Sequence, residues 1–137
     1  MAREWFWDTS GFFALLNSDD PQHARARTLA AQAARERIGL VTTDWIVGEC
    51  CTLLMARGKP HLIPFFLDHT EQGRSVAMPH LDAAFLQRAR GYLRKHLDHK
   101  YSFADCTSFV LMEERGISEA VTTDEHFVEA GFVALLR

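Results

Sequence analysis

Four acidic residues interrupt or terminate the apolar runs of this sequence, and any fold the chain adopts has to accommodate them. Asp8 follows Glu4-Trp5-Phe6-Trp7, Glu49 lies in Ile46-Val-Gly-Glu-Cys, Asp105 lies in Ser102-Phe-Ala-Asp-Cys-Thr-Ser-Phe-Val-Leu-Met112, and Asp124 follows a further apolar run. The third is the sharpest case. Ser102 reads as a helix N-cap, which puts Asp105 in the first turn with Phe109 one turn ahead and its carboxylate beside the apolar stripe. One such acid opposes the helix dipole and asks for nothing more. Four are different, because an ionised carboxylate at the edge of a core needs a metal, a cation or several donors to offset its desolvation.

At 137 residues and 47% hydrophobic content the chain is expected to form a single domain, residues 1–137, with a real core. Its start lacks the apolar stretch of a signal peptide, and no apolar run approaches the roughly 18 residues of a membrane span, so a cytoplasmic protein is expected. Cys50, Cys51 and Cys106 make an odd number without Cys-x-x-Cys spacing, which argues against a disulfide framework and a structural zinc site. The net charge of −3 repels polyanions, so any nucleic-acid contact must use a local basic patch.

Along the chain, Glu4–Trp7 reads as a buried strand, and Thr9-Ser10 offers caps to a short helix through Leu16. Asp20-Pro21 opens an alanine-rich helix to about Arg37, with Gly39 beyond its end. Leu40-Val-Thr42 is a second strand, and Thr43 or Asp44 caps a helix to Gly58 in which Ile46, Glu49 and Leu53 share one face. A helix follows from about His61 to Gln72, stopped by Gly73. Arg74–Met78 alternates as a third strand, and Leu81 to Leu93 repeat at helical spacing. After the polar link His96–Tyr101, the Asp105 helix runs to about Arg115-Gly116. Residues 119–122 form a strand, Asp124-Glu-His-Phe one helical turn, and Phe132–Leu136 a last strand. This alternation predicts an α/β fold, a three-layer α/β/α sandwich with a mostly parallel sheet. Asp8 and Asp124 then emerge at the C-terminal sheet edge, where open α/β sheets bind ligands, and Glu49 and Asp105 arrive from early helical turns. A hard divalent cation is the simplest way to hold four such carboxylates ionised together, and all-oxygen ligation favours Mg²⁺ or Mn²⁺ over zinc.

The sequence resembles the PIN domains, and among them the VapC-type ribonuclease toxins, over nearly its whole length. Asp8-Thr9-Ser10-Gly11 is similar to the first acidic motif, Glu49 in Ile-Val-Gly-Glu-Cys to the second, Ser102-Phe-Ala-Asp105-Cys-Thr-Ser-Phe to the third and Thr122-Thr-Asp124-Glu-His-Phe to the fourth. The resemblance implies a PIN-like fold and a Mg²⁺- or Mn²⁺-dependent endoribonuclease whose metal-binding, catalytic acids are Asp8, Glu49, Asp105 and Asp124. It also implies an antitoxin protein that inserts a segment near those acids. Thr9 and Thr123 are added as hydroxyls that orient a ligating water or carboxylate.

His96 and His99 lack further ligands and read as surface histidines rather than a zinc site. Arg88, Arg90, Arg94, Lys95 and Lys100 form a basic stretch suited to RNA phosphates, and Arg25, Arg27, Arg35 and Arg37 a second. Phe12, Phe13, Phe65, Phe66 and Leu67 carry more bulk than two short helices bury, and an exposed part would make a groove for a partner segment or a homodimer interface. A rival reading is a PIN-like module that binds RNA or protein without cutting, and another is a nuclease acting on structured DNA.

Overall fold

The computed structural model describes residues 3–72 and 76–137. Five strands, β1 (Glu4–Trp7), β2 (Gly39–Val41), β3 (Val76–Ala77), β4 (Glu119–Val121) and β5 (Val133–Ala134), form one sheet in the order β3-β2-β1-β4-β5. Every pairing is parallel. The central strand β1 buries Trp5, Phe6 and Trp7 on both faces, which is why it reads as an unbroken apolar run.

The helices are α1 (Thr9–Leu16), α2 (His23–Glu36), α3 (Asp44–Ala56), α4 (Ile63–Glu71), α5 (Ala83–Lys95), α6 (Phe103–Arg115) and α7 (Glu125–Glu129). From β1 the chain steps outward to β2 and β3, then returns to the other side of β1 for β4 and β5. Right-handed crossovers therefore place α1 to α4 on one face and α5 to α7 on the other. Within each group α1 packs on α2 and α3, α3 on α4, α5 on α6, and α6 on α7; between the groups α3 also meets α6, where Trp45 touches Phe103. The reversal between β1 and β4 is the switch point where a ligand crevice opens at the strands' C-terminal ends.

Several boundaries depart from the sequence expectation for local reasons. Asp20 does not cap α2; its Oδ1 accepts from the Gln22 N–H in a tight turn, and the helix starts at His23. The far end of α2 is as expected: Arg37 closes it in the left-handed region at φ 56°, and Gly39, beyond that end, opens β2. A 3₁₀ turn over Pro60–Leu62 precedes α4, and another over Leu97–His99 fills the link before α6. Of the expected strand Arg74–Met78, Val76–Ala77 is observed; Gly73, Arg74 and Ser75 lie outside the described residues. The last strand shrinks to Val133–Ala134.

The aromatic cluster divides. Phe12, Phe13 and Phe66 are buried and Leu67 partly so, while Phe65 is 66% exposed beside an apolar cavity of about 390 Å³ that Phe12, Leu15, Leu16 and Phe66 help to line.

One glycine fixes how closely α1 approaches the switch point. A Cβ at Gly11 would lie 2.2 Å from the Val121 carbonyl oxygen, which also accepts the Asp8 backbone N–H. Gly11→Ala must push α1 off β4 and is expected to cost about 1–3 kcal/mol. Gly48→Ala, with nothing within 4 Å of its Cβ, is expected to be neutral or to gain up to about 1 kcal/mol. Urea melts of the two variants check this contrast.

Candidate functional site

The switch point opens into a cavity of about 470 Å³ whose lining includes Asp8, Glu49, Asp105 and Asp124. Asp8 is the N-cap of α1 at the end of β1, and Asp124 caps α7 just beyond β4. Glu49 reaches in from α3. Asp105 belongs to a capping box at the start of α6: Asp105 N–H donates to Ser102 Oγ, and Ser102 N–H donates to Asp105 Oδ2.

Each carboxylate is held by one oxygen. Thr122 Oγ1 donates to Asp8 Oδ2 at 2.8 Å, with Ser10 Oγ at 3.4 Å from the same atom. Thr9 Oγ1 donates to Glu49 Oε1 at 2.8 Å. Asp124 Oδ1 accepts the His126 backbone N–H at 2.9 Å. Asp105 Oδ2 is 3.1 Å from His126 Nδ1, which carries the proton because a carboxylate only accepts. The second oxygens of Glu49, Asp105 and Asp124 carry no intramolecular hydrogen bond among the described residues.

Burial, first of all, drives the Asp8 carboxyl up to about 7; the Thr122 and Thr9 hydrogen bonds pull against it, and the charges of Asp105 and Asp124 add to it. Burial also raises Asp105, against its bonds to Ser102 and His126. For His126 burial disfavours the charged ring, but the Asp105 hydrogen bond and the charges of Asp124, Asp105 and Glu129 outweigh it and raise the pKa. Such a cavity is short of positive charge.

Its donor set fits a hard divalent cation. Three carboxylates have an oxygen to spare, the buried Asp8 resists ionisation without a counter-charge, and ligand atoms of Asp105, Asp124 and His126 lie within 4.8 Å of one another. A thiol nucleophile does not fit, because burial pushes Cys50 up to about 12 and Cys106 up to about 11. His96 and His99 are engaged elsewhere: His96 Nδ1 meets the Tyr92 carbonyl at 2.7 Å, and His99 stacks on Tyr101 with Nδ1 3.0 Å from Glu129.

Of the hydroxyls expected to serve the acids, Thr9 meets Glu49, but it is Thr122 rather than Thr123 whose hydroxyl reaches Asp8. Thr123 lines the cavity, and its backbone N–H donates to Ser10 Oγ. His126, Thr122 and Ser10 were missed in the sequence. The signal for His126 was its place two residues after Asp124 in a first helical turn. Of the basic stretch, Lys100 lines the acidic cavity, Arg90 and Arg94 line a neighbouring one, and Lys95 is exposed. Arg88 lines neither cavity and makes a two-point pair with Glu114 on α6, with Nε–Oε2 at 2.6 Å.

The PIN-domain family model matches residues 6–133. The chain is 34% identical over 128 residues to the 23S rRNA-specific endonuclease VapC20 of Mycobacterium tuberculosis, in the strains CDC 1551 / Oshkosh and ATCC 25618 / H37Rv, spanning 93% of this chain and 95% of the relative. Its fold is similar to the crystal structure of M. tuberculosis VapC20, described as a sarcin-ricin loop cleaving toxin, with a TM-score of 0.86, 32% identity and coverage of 95% and 97% of the two chains.

Proposed function

The chain belongs to the PIN-domain family, and from that membership and its acidic cavity we infer that it is a metal-dependent endoribonuclease of the VapC type, the toxin of a toxin–antitoxin pair. The observation that carries this reading is the convergence of Asp8, Glu49, Asp105 and Asp124 on one open cavity while one oxygen of each is fixed by the protein. A module that only gripped RNA would gain nothing from such a concentration of negative charge. It would have to overcome the repulsion on every binding event.

The four acids would hold Mg²⁺ or Mn²⁺. Bound there, the ion would supply Lewis acidity at the attacked phosphate and lower the pKa of the attacking water. The chain's own residues supply position. Thr122 and Ser10 hold Asp8, Thr9 holds Glu49, and the Ser102 cap and His126 hold Asp105, so the carboxylates are in position before substrate arrives. Asp8 or Asp124 orients the attacking water in line with the scissile phosphate. Lys100 at the rim, with Arg90, Arg94 and Lys95 further out, meets the RNA backbone, and Arg88, taken by Glu114, leaves that set.

Its similarity to VapC20 supports 23S ribosomal RNA at the sarcin–ricin loop as the substrate, and a ribosomal substrate is compatible with a cytoplasmic protein. No helix among the described residues is long and apolar enough to cross a membrane. The cognate antitoxin inserts one segment near the acids, and the separate groove beside Phe65 suits an apolar segment of the same partner. Primer extension on 23S rRNA after incubation with the purified protein and Mg²⁺ is expected to show one dominant stop in that loop. Stops scattered over unpaired RNA contradict the substrate, and an unbroken RNA in both Mg²⁺ and Mn²⁺ contradicts the enzyme.

A further inference from the structure

Beside the acids the surface carries a different chemistry. Trp45 is 44% exposed and lies one turn before Glu49 on the same face of α3. Its ring meets Phe103 of α6 edge to face, with centroids 5.1 Å apart. Leu93, Leu97, Arg90 and Arg94 complete a cavity of about 460 Å³ around this aromatic pair, and Leu97 is 71% exposed. Among the described residues neither arginine is in an ion pair, in contrast to Arg3, Arg88, Arg115 and Arg137. A second cavity of about 510 Å³, lined by Asp44, Trp45, Gly48, Glu49 and Thr52, shares Trp45 with the aromatic cavity and Glu49 with the acidic one. One trough therefore runs from the carboxylates to the arginines.

We propose that this trough is a subsite for single-stranded RNA in which an unpaired base next to the scissile phosphate stacks on Trp45 and the phosphate beyond it is held by Arg90 and Arg94. The inference rests on the endoribonuclease reading and names how that site grips its substrate. Charge selects the occupant: on a chain of net charge −3, two uncommitted guanidiniums flank an exposed aromatic ring beside an acidic cavity. An apolar protein segment would bury those guanidiniums unpaired, whereas a nucleotide offers each part of the trough its complement. Spacing agrees as well. Trp45 and Glu49 are separated by roughly 6 Å along the axis of α3, so a base on Trp45 lies close to the carboxylates.

The test uses the fluorescence of the whole protein. Trp5 and Trp7 are each 1% exposed, so quenching by an added RNA oligonucleotide in EDTA reports on Trp45. RNA is expected to quench it, and an abasic residue at one position beside the cleavage point is expected to weaken binding about tenfold. Trp45→Ala should lose the same factor on intact RNA and become indifferent to the abasic position, with Trp45→Phe recovering most of it. Arg94→Ala should lower the salt dependence by about one charge. A Trp45→Ala protein that still distinguishes the abasic RNA overturns the subsite. One that keeps its RNA affinity but changes from dimer to monomer overturns it too, and assigns the patch to a second copy of the chain. Cleavage of RNA by the wild type, scored alongside, separates the two levels: loss of the subsite with cleavage intact leaves the enzyme reading standing, and absence of cleavage removes both.

Discussion

Replacing Asp8 by Asn is expected to slow RNA cleavage by more than about 100-fold while making the metal-free protein more stable at pH 7. The loss follows from position: mutating partners that merely orient a ligand costs about 10–100-fold, so removing the charge of the most deeply buried acid costs more. The gain follows from the same burial. The Asp8 carboxyl is driven up to about 7, so keeping it ionised in the folded chain opposes folding by about 1.4 kcal/mol per pKa unit, on the order of a few kcal/mol in all. Asn keeps an oxygen to accept from Thr122 and removes the charge. Cleavage rates and urea melts in EDTA read the two effects on one preparation. An Asp8→Asn protein that cuts at the wild-type rate, or that melts earlier than the wild type, contradicts this account.

The second large effect is on the pH dependence of stability without metal. Between about pH 4 and pH 7 the folded chain holds a proton on Asp8 that the unfolded chain has released, so stability falls as pH rises through that window. The raised Asp105 acts in the same direction, and so does His126, whose raised pKa gives stability below its unfolded value that is lost as pH climbs through the folded one. The metal-free wild type is therefore expected to be most stable in mild acid and to lose a few kcal/mol by pH 8, with a melting temperature lower by roughly 10 °C. Mg²⁺ or Mn²⁺ at about 100 times its dissociation constant restores about 2.7 kcal/mol at neutral pH and flattens the profile. The Asp8→Asn protein should show a shallower slope in EDTA. Melts from pH 4 to pH 8, with and without Mn²⁺, decide it; a wild-type profile that is flat in EDTA contradicts the assignment of the slope to these groups.

Much of the fold was legible because its strongest signals are local. The aromatic run before Asp8, the Ser102 cap and the helical repeat around Phe85 and Ala89 each determine their own element. The site was legible as far as single residues in single turns could carry it. What was not legible depends on pairing across the chain. Thr122 serves Asp8 because β1 and β4 pair with Trp7 opposite Val121, which sets Asp8 beside Thr122 from 114 residues away. His126 matters only when the first turn of α7 brings its ring to Asp105, 21 residues earlier. Arg88 looked like part of a basic stretch until α5 packed on α6 and gave it Glu114. The start of α2 moved because Asp20 used its side chain on a tight turn at Pro21 and Gln22, a choice equally open to a cap.

If these four carboxylates make the chain a metal-dependent ribonuclease, the cleavage rate of a sarcin–ricin-loop RNA must depend on Mn²⁺ titrated into metal-free wild type and hardly at all on Mn²⁺ titrated into the Asp124→Asn protein. The expected result is no cleavage in EDTA, saturable activation of the wild type by Mn²⁺, and at most a trace of activity in the Asp124→Asn protein at the same concentrations. Cleavage that persists in EDTA, or equal activation of the two proteins, would contradict it.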